Sequence, residues 1–136
     1  MNIKEIENVL SLPKEKLYKT FLLRVADYNQ IWVLDDDGIL LYGDNEGRRI
    51  FPIWPEKEFA NLCATDDWIG AKALSIDLEE FLTDYIPEII DNNDLLSIFP
   101  RNNDKQSIVL EPKEFASHIV NYILEEYGEE IELIYL

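Results

Sequence analysis

One cysteine, one histidine and one methionine are all the sulfur and imidazole that 136 residues contain. A lone thiol, Cys63, forms no internal disulfide, and it fits a reducing compartment. Cys63 and His118 are the only residues from which a Cys/His nucleophilic pair can be drawn. Cys63 falls on the same helical face as Phe59, however, and His118 lies at the margin of an apolar stripe with Phe115 and Ile119. A packed thiol and a half-exposed imidazole are the expectation. One Cys and one His also fall short of a four-ligand zinc set, so neither a metal nor a cofactor is expected.

Long apolar runs are missing too. No window approaches the roughly 20 apolar residues that span a bilayer. The first residues, Met1-Asn2-Ile3-Lys4-Glu5-Ile6-Glu7, interleave charges where a signal peptide needs an unbroken apolar stretch. The expectation is a cytoplasmic protein with no membrane role. Glycines are few, and no phosphate-cradling loop, nucleophile elbow or His-Glu-x-x-His occurs. The Asp35-Asp36-Asp37-Gly38 cluster has the composition of a calcium loop in the wrong register. With Gly38 sixth, the first ligand is Val33, which offers no oxygen; with Gly47 sixth, Tyr42 comes first and Ile53 twelfth. Both clusters read as turns. Nothing in this inventory supports an enzyme.

Basic residues are the other scarcity: 12 against 28 acidic, a net charge of −16. Such a surface repels polyanions, which argues against nucleic acid as a partner. The imbalance is uneven. Residues 1–72 hold 9 basic and 13 acidic groups, a balance of −4, whereas 73–136 hold 3 and 15, a balance of −12. No Lys or Arg lies between Ala73 and Pro100, and none follows Lys113. This half reads either as plain solvated faces or as a docking surface for a basic protein, where charge speeds encounter and salt weakens it.

What is present is the material of one α+β domain over 1–136, since a chain of this size buries roughly two-thirds of its extended surface in a single core. Helices are expected over 3–28: a short one from Ile3 to Leu10, then one capped by Ser11 whose stripe is Leu17, Phe21, Val25 and Tyr28. A three-stranded antiparallel meander is expected over 30–54, from the runs Ile31 to Leu34, Ile39 to Tyr42 and Arg48 to Trp54. The turns between them are Asp35 to Gly38 and Gly43-Asp44-Asn45-Glu46-Gly47. Pro52 marks the third strand as an edge or a bulge. A helix over 55–64 buries Phe59, Leu62 and Cys63, and Lys72 to Ile76 reads as a short strand. A helix over 77–90, capped by Asp77, is ended or restarted by Pro87. A hairpin over 95–110 joins Leu95 to Phe99 with Ser107 to Leu110. The last helix, 112–127, stops at Gly128. The alternating tail over 130–136 returns as an edge strand, packs on the core, or adds to a partner's sheet. Together these give a mixed, largely antiparallel sheet of five to seven strands with helices mainly on one face.

Aromatic residues crowd one segment: Trp32, Phe51, Trp54, Phe59 and Trp68, interrupted by Arg48, Arg49 and two prolines. Core packing is the default for such rings. The alternative is a groove lined by Trp54 and Trp68 with Arg48 or Arg49 at its rim, because aromatic and arginine side chains are enriched in binding hot spots.

The order Trp32-Val33-Leu34, Asp36-Asp37-Gly38, Phe51-Pro52-Ile53-Trp54-Pro55, Ala60, Cys63-Ala64, Trp68, Phe81-Leu82, Ile86-Pro87 and Phe99-Pro100 resembles the bacterial family known as domain of unknown function 2750. The likeness runs from the second helix to the last, and it implies a small α+β domain with no established activity. In layout the chain is also similar to the N-terminal domain of SseB-like secretion-associated proteins, an analogy that carries no function. The leading expectation is a non-enzymatic protein-interaction module that binds, neutralises or escorts a basic partner. A small-ligand domain using the aromatic and arginine groove is the alternative, and a carboxylate-based enzyme comes third.

Overall fold

The computed structural model describes residues 1–43, 46–104 and 108–136. Asp44 and Asn45 of the second expected turn, and Ser107 of the expected hairpin, lie outside the described residues. The fold is α+β. Helix α1 (Ile3–Leu10) starts at Asn2, whose side-chain oxygen accepts from the Glu5 amide at 2.8 Å, and α2 (Lys14–Tyr28) follows. Ser11 does not cap α2. It closes α1 instead, its hydroxyl donating to the Glu7 carbonyl, and α2 begins at Pro13, whose extended ψ leads directly into the helix. Leu17, Phe21, Leu22 and Val25 are buried on α2. Tyr28 is not, because the helix ends there, at an Asn29 in the left-handed conformation.

The strands are β1 (Gln30–Asp35), β2 (Tyr42–Gly43), β3 (Arg49–Ile53), β4 (Lys72–Asp77), β5 (Leu95–Ile98) and β6 (Val109–Leu110). They form two sheets, β1-β4 and β2-β3-β5-β6, where the sequence suggested one larger sheet. The expected meander does not form. β1 pairs antiparallel with β4 along its whole length and meets β3 only at the Trp32–Trp54 bridge, whose two backbone hydrogen bonds measure 2.8 and 2.9 Å. The Asp35–Gly38 turn folds the chain back only as far as Ile39, so β2 is reduced to two residues beside β3.

Nor is β3 an edge strand, since β2 pairs one side of it and β5 runs parallel on the other. Pro52 is tolerated there for a local reason. Trp54 directs both its backbone groups at β1, and alternation points Pro52 to that same edge. That edge is unpaired at Pro52, because the β2 pairing stops at Ile50 and the β1 bridge begins at Trp54. The missing N–H falls in the gap. β5 and β6 make the expected antiparallel hairpin.

Helix α3 (Lys57–Leu62) buries Phe59 and Ala60, while Leu62 is exposed at its end. After the Asp77 cap, which accepts from the Glu79 and Glu80 amides, comes one helical rod in three parts. These are α4 (Leu78–Glu80), a π-helical segment (Phe81–Tyr85) and α5 (Ile86–Asp91). Pro87 offers no N–H to the Thr83 carbonyl, and the rod widens by a π turn there instead of breaking. Helix α6 (Pro112–Tyr127) closes at Gly128, in the left-handed conformation that favours glycine. All six phenylalanines join in one run through the core. Phe59 meets Phe99 at 4.8 Å, Phe99 meets Phe21, Phe21 meets Phe115, Phe115 meets Phe81, and Phe81 meets Phe51. This run joins α2, α3, β3, the π segment and α6 around one core.

The C-terminal tail keeps the expected alternation without becoming a strand. Ile131, Leu133 and Tyr135 turn inward, and the Tyr135 hydroxyl donates to the Leu82 carbonyl at 2.7 Å. None of the described strand pairings or bridges includes a tail residue. Among the described residues no helix is long and apolar enough to cross a membrane, and no group of three or more His, Cys, Asp or Glu is placed to hold a metal ion.

Candidate functional site

The four residues read as a groove do not come together. Trp54 is wholly buried, its indole N–H donating to the Pro100 carbonyl at 3.0 Å. Trp68 is buried edge-on against it, with ring centroids 6.3 Å apart. Neither ring leaves a face for a ligand. Arg48 and Arg49 lie at the opposite end of β3, roughly 16 Å along an extended chain from Trp54. There Arg48 grips Glu111 through two hydrogen bonds, of 2.6 and 3.0 Å, and donates to the Asn93 carbonyl. Arg49 holds Asp94 through two bonds of 3.0 and 2.9 Å. Both guanidinium groups lock the start of β3 to the start of β5, and Arg48 also anchors the cap of α6, where Glu111 is held below its usual carboxylate range chiefly by that hydrogen bond. Core packing and structural ion pairing account for all four.

Cys63 and His118 are likewise engaged in structure. The thiol is buried against the Pro100 carbonyl at 3.3 Å, and the His118 Nδ1 lies 2.7 Å from the Tyr18 hydroxyl. No hydrogen bond among the described residues joins the two.

A different feature emerges where the molecule's two longest helices end. The Tyr127 hydroxyl on α6 donates to the Asp27 carboxylate on α2, which ties the two C-termini together. Neither helix carries a basic residue in its last turn. The negative ends of two helix dipoles thus stand side by side without the usual Lys or Arg to offset them. Between them, α4 and the C-terminal tail lies a groove of about 490 Å³. Ala26, Ile131 and Leu133 line it above the buried Leu78, Leu82 and Ile123, but with Asn29, Thr83, Tyr127, Glu79, Glu129, Glu130 and Glu132 around them its open surface is more polar than apolar. No Lys or Arg lines it.

Several phenols on these elements are raised, chiefly by burial or a hydrogen bond, with a smaller part from neighbouring carboxylates. Tyr127 is pushed up to about 12, first by its hydrogen bond to Asp27, and the carboxylates of Asp27 and Glu126 add to that. Tyr122 is raised by burial, Glu126 and Asp27, and Tyr85 by burial with Glu80, Asp84 and Glu88. The groove was not legible as a site in the sequence. The uneven charge and the alternating tail were both visible there, but only the chain's return across Leu82 puts the tail opposite α2 and α4.

The family model described as "Protein of unknown function (DUF2750)" matches residues 18–119, three quarters of the chain. The matched span contains the Phe51-Pro52-Ile53-Trp54-Pro55 run and Cys63-Ala64, and it stops before the tail that closes the groove. No curated protein matches the chain.

Proposed function

The chain belongs to the DUF2750 family of proteins of unknown function, and from its surface chemistry we propose that it is a non-enzymatic interaction domain that binds a basic protein partner. The observation that carries the proposal is a set of exposed carboxylates on two stretches of the chain that have no Lys or Arg partner among the described residues. Glu79, Glu80, Asp84, Glu88 and Asp91 are exposed along α4, the π segment and α5, and Glu125, Glu126, Glu129, Glu130 and Glu132 along the end of α6 and the tail. None of them forms an ion pair with a Lys or Arg among the described residues. Among the described residues the ion pairs engage Arg24, Arg48, Arg49 and Arg101, with other carboxylates.

Concentrating like charge in this way lowers stability through self-repulsion, and no ion pair among the described residues offsets it. A basic partner would relieve that repulsion, be steered to the surface, and release it as salt screens the field. Affinity capture with the full chain at low ionic strength tests the reading. A basic protein should be retained, be eluted by salt, and be lost when Glu79, Glu80, Glu125 and Glu126 are all changed to Gln. Retention that is indifferent to both salt and these changes would overturn it.

A further inference from the structure

We infer that the open edge of β4 is a self-association surface, on which a second copy of this chain adds its own β4 antiparallel. The inference is independent of the partner-binding reading above. β4 is bonded to β1 on one side, and its other side enters no described pairing or bridge. The Leu78 amide donates to the Asn29 carbonyl at 3.0 Å, in continuation of the β1–β4 ladder. Hydrogen-bonded and non-hydrogen-bonded pairs alternate along an antiparallel ladder, so Lys72, Leu74 and Ile76 direct their N–H and C=O groups at β1. Those of Ala73 and Ser75 point away from it, and among the described residues no hydrogen bond reaches them. Ser75 is exposed and Ala73 half-buried, which leaves this edge open to a second strand.

Folded proteins ordinarily blunt such edges with proline, bulges, several charges or very short strands. β2 and β6 are two residues long. β4 has six residues in unbroken register, without proline or glycine, and its two charges stand at its ends. Two features identify the occupant as a second copy. The first is charge: residues 68–76 hold one lysine and no carboxylate, so two molecules of charge −16 can meet here without setting acid against acid. The second is symmetry. A two-fold axis through the sheet keeps opposed side chains on one face, so a residue can oppose itself in the other copy. Centred on Leu74, this register sets the exposed Leu74 against Leu74 of the second copy, at the position where cross-strand side chains come closest. Ala73 then exchanges both backbone hydrogen bonds with Ser75 of the second copy, and Ser75 with its Ala73. Lys72 stands opposite Ile76 of the second copy, one position from its Asp77, so unlike charges approach at both ends.

A contact of one strand lies at the small end of specific interfaces, so the dimer should have a dissociation constant on the order of 1 mM. Raising the salt from about 0.01 M to about 0.15 M screens the repulsion between copies and should strengthen it at least about threefold, the opposite of the effect on a basic partner. The test is sedimentation equilibrium of the full chain at about 0.15 M salt and protein up to about 1 mM, with amide hydrogen exchange followed over the same range. The average mass should rise toward that of two chains. As it does, exchange should slow at the amides of Ala73 and Ser75 and stay unchanged at Leu74, whose amide is already bonded to β1. Leu74→Lys should weaken the dimer by about tenfold or more, although it lowers the repulsion between copies, because an edge lysine blocks pairing. Leu23→Lys makes the same charge change at an exposed position on α2 and should leave the dimer within about threefold. Ser75→Pro removes an outward N–H that the single chain does not use, and should also weaken the dimer by about tenfold or more. An unchanged amide spectrum away from each substitution confirms that the variants are folded. A chain that stays monomeric throughout, a dimer without slowed exchange at Ala73 and Ser75, or lysine variants that act alike would each overturn the inference and leave the partner-binding reading untouched.

Discussion

Trp54 shows how one side chain can carry both packing and polarity. Its ring is fully buried and its N–H is matched by the Pro100 carbonyl, which also receives the Cys63 thiol. Trp54→Ala should lower stability by about 3–5 kcal/mol, the usual cost of removing a large core ring. Trp54→Phe keeps a ring and loses the N–H, and it should lower stability by about 1–3 kcal/mol. Denaturant midpoints at an unchanged slope would measure both. Were these substitutions tolerated without loss, the core assignment of the tryptophan would be wrong. Asp94 makes a second residue-scale case, because its carboxylate is only 3% exposed and depends on Arg49. Arg49→Ala should cost about 1–3 kcal/mol through the carboxylate left behind, reduced by the solvent that already reaches half of the arginine. Adding Asp94→Asn to that variant should recover part of the loss. These residues drew attention in the sequence as aromatic and arginine chemistry, and their chemistry is real. It is directed inward, which residue type alone does not reveal.

At the scale of the element, the helices were legible and the strand pairing was not. Helix limits follow from local rules: Asp77 caps, Gly128 terminates, and the apolar stripes of α2 and α6 repeat at helical spacing. Pairing depends on which strands meet, and the short turn at Asp35–Gly38 made a local hairpin look natural where β4, almost forty residues later, is the true partner of β1. The tail illustrates the same division, since its alternation was visible and its lack of a ladder was not. Its anchor supplies a prediction. Burial pushes the Tyr135 hydroxyl up to about 12 from its ordinary 10.0. The fold thus favours the neutral phenol, so this contribution is complete below pH 10 and is lost as the pH rises through about 12. Stability should fall over that alkaline window, and Tyr135→Phe should flatten the fall and remove one late-titrating phenol from the tyrosinate absorbance titration. An alkaline profile unchanged by Tyr135→Phe would show that the tail is not held there.

For the molecule as a whole, charge is the dominant variable. A net charge of −16 opposes compaction at any pH where the carboxylates are ionised. Raising ionic strength from about 0.01 M to about 0.15 M shortens the screening length from about 30 Å to about 8 Å. The thermal midpoint should therefore rise over that range, and a variant with Glu125, Glu126, Glu129 and Glu130 changed to Gln should start higher and respond less. A midpoint that falls with salt would mean that the ion pairs of Arg24, Arg48 and Arg49 outweigh the repulsion.

The sequence by itself determined the α+β class, the helix positions, the burial of Cys63, the family resemblance and the concentration of acid after Lys72. Each of these depends on composition or on neighbours a few positions apart. Only the tertiary structure decided that the strands divide into two sheets, that Trp54 and Trp68 face inward, and that Arg48 and Arg49 serve as clamps. It also decided how the acidic half is arranged in space. The ends of α2 and α6 are a hundred residues apart in the chain and become neighbours through the contact of Tyr127 with Asp27. The field and the groove belong to that juxtaposition, and no local pattern of residues encodes it.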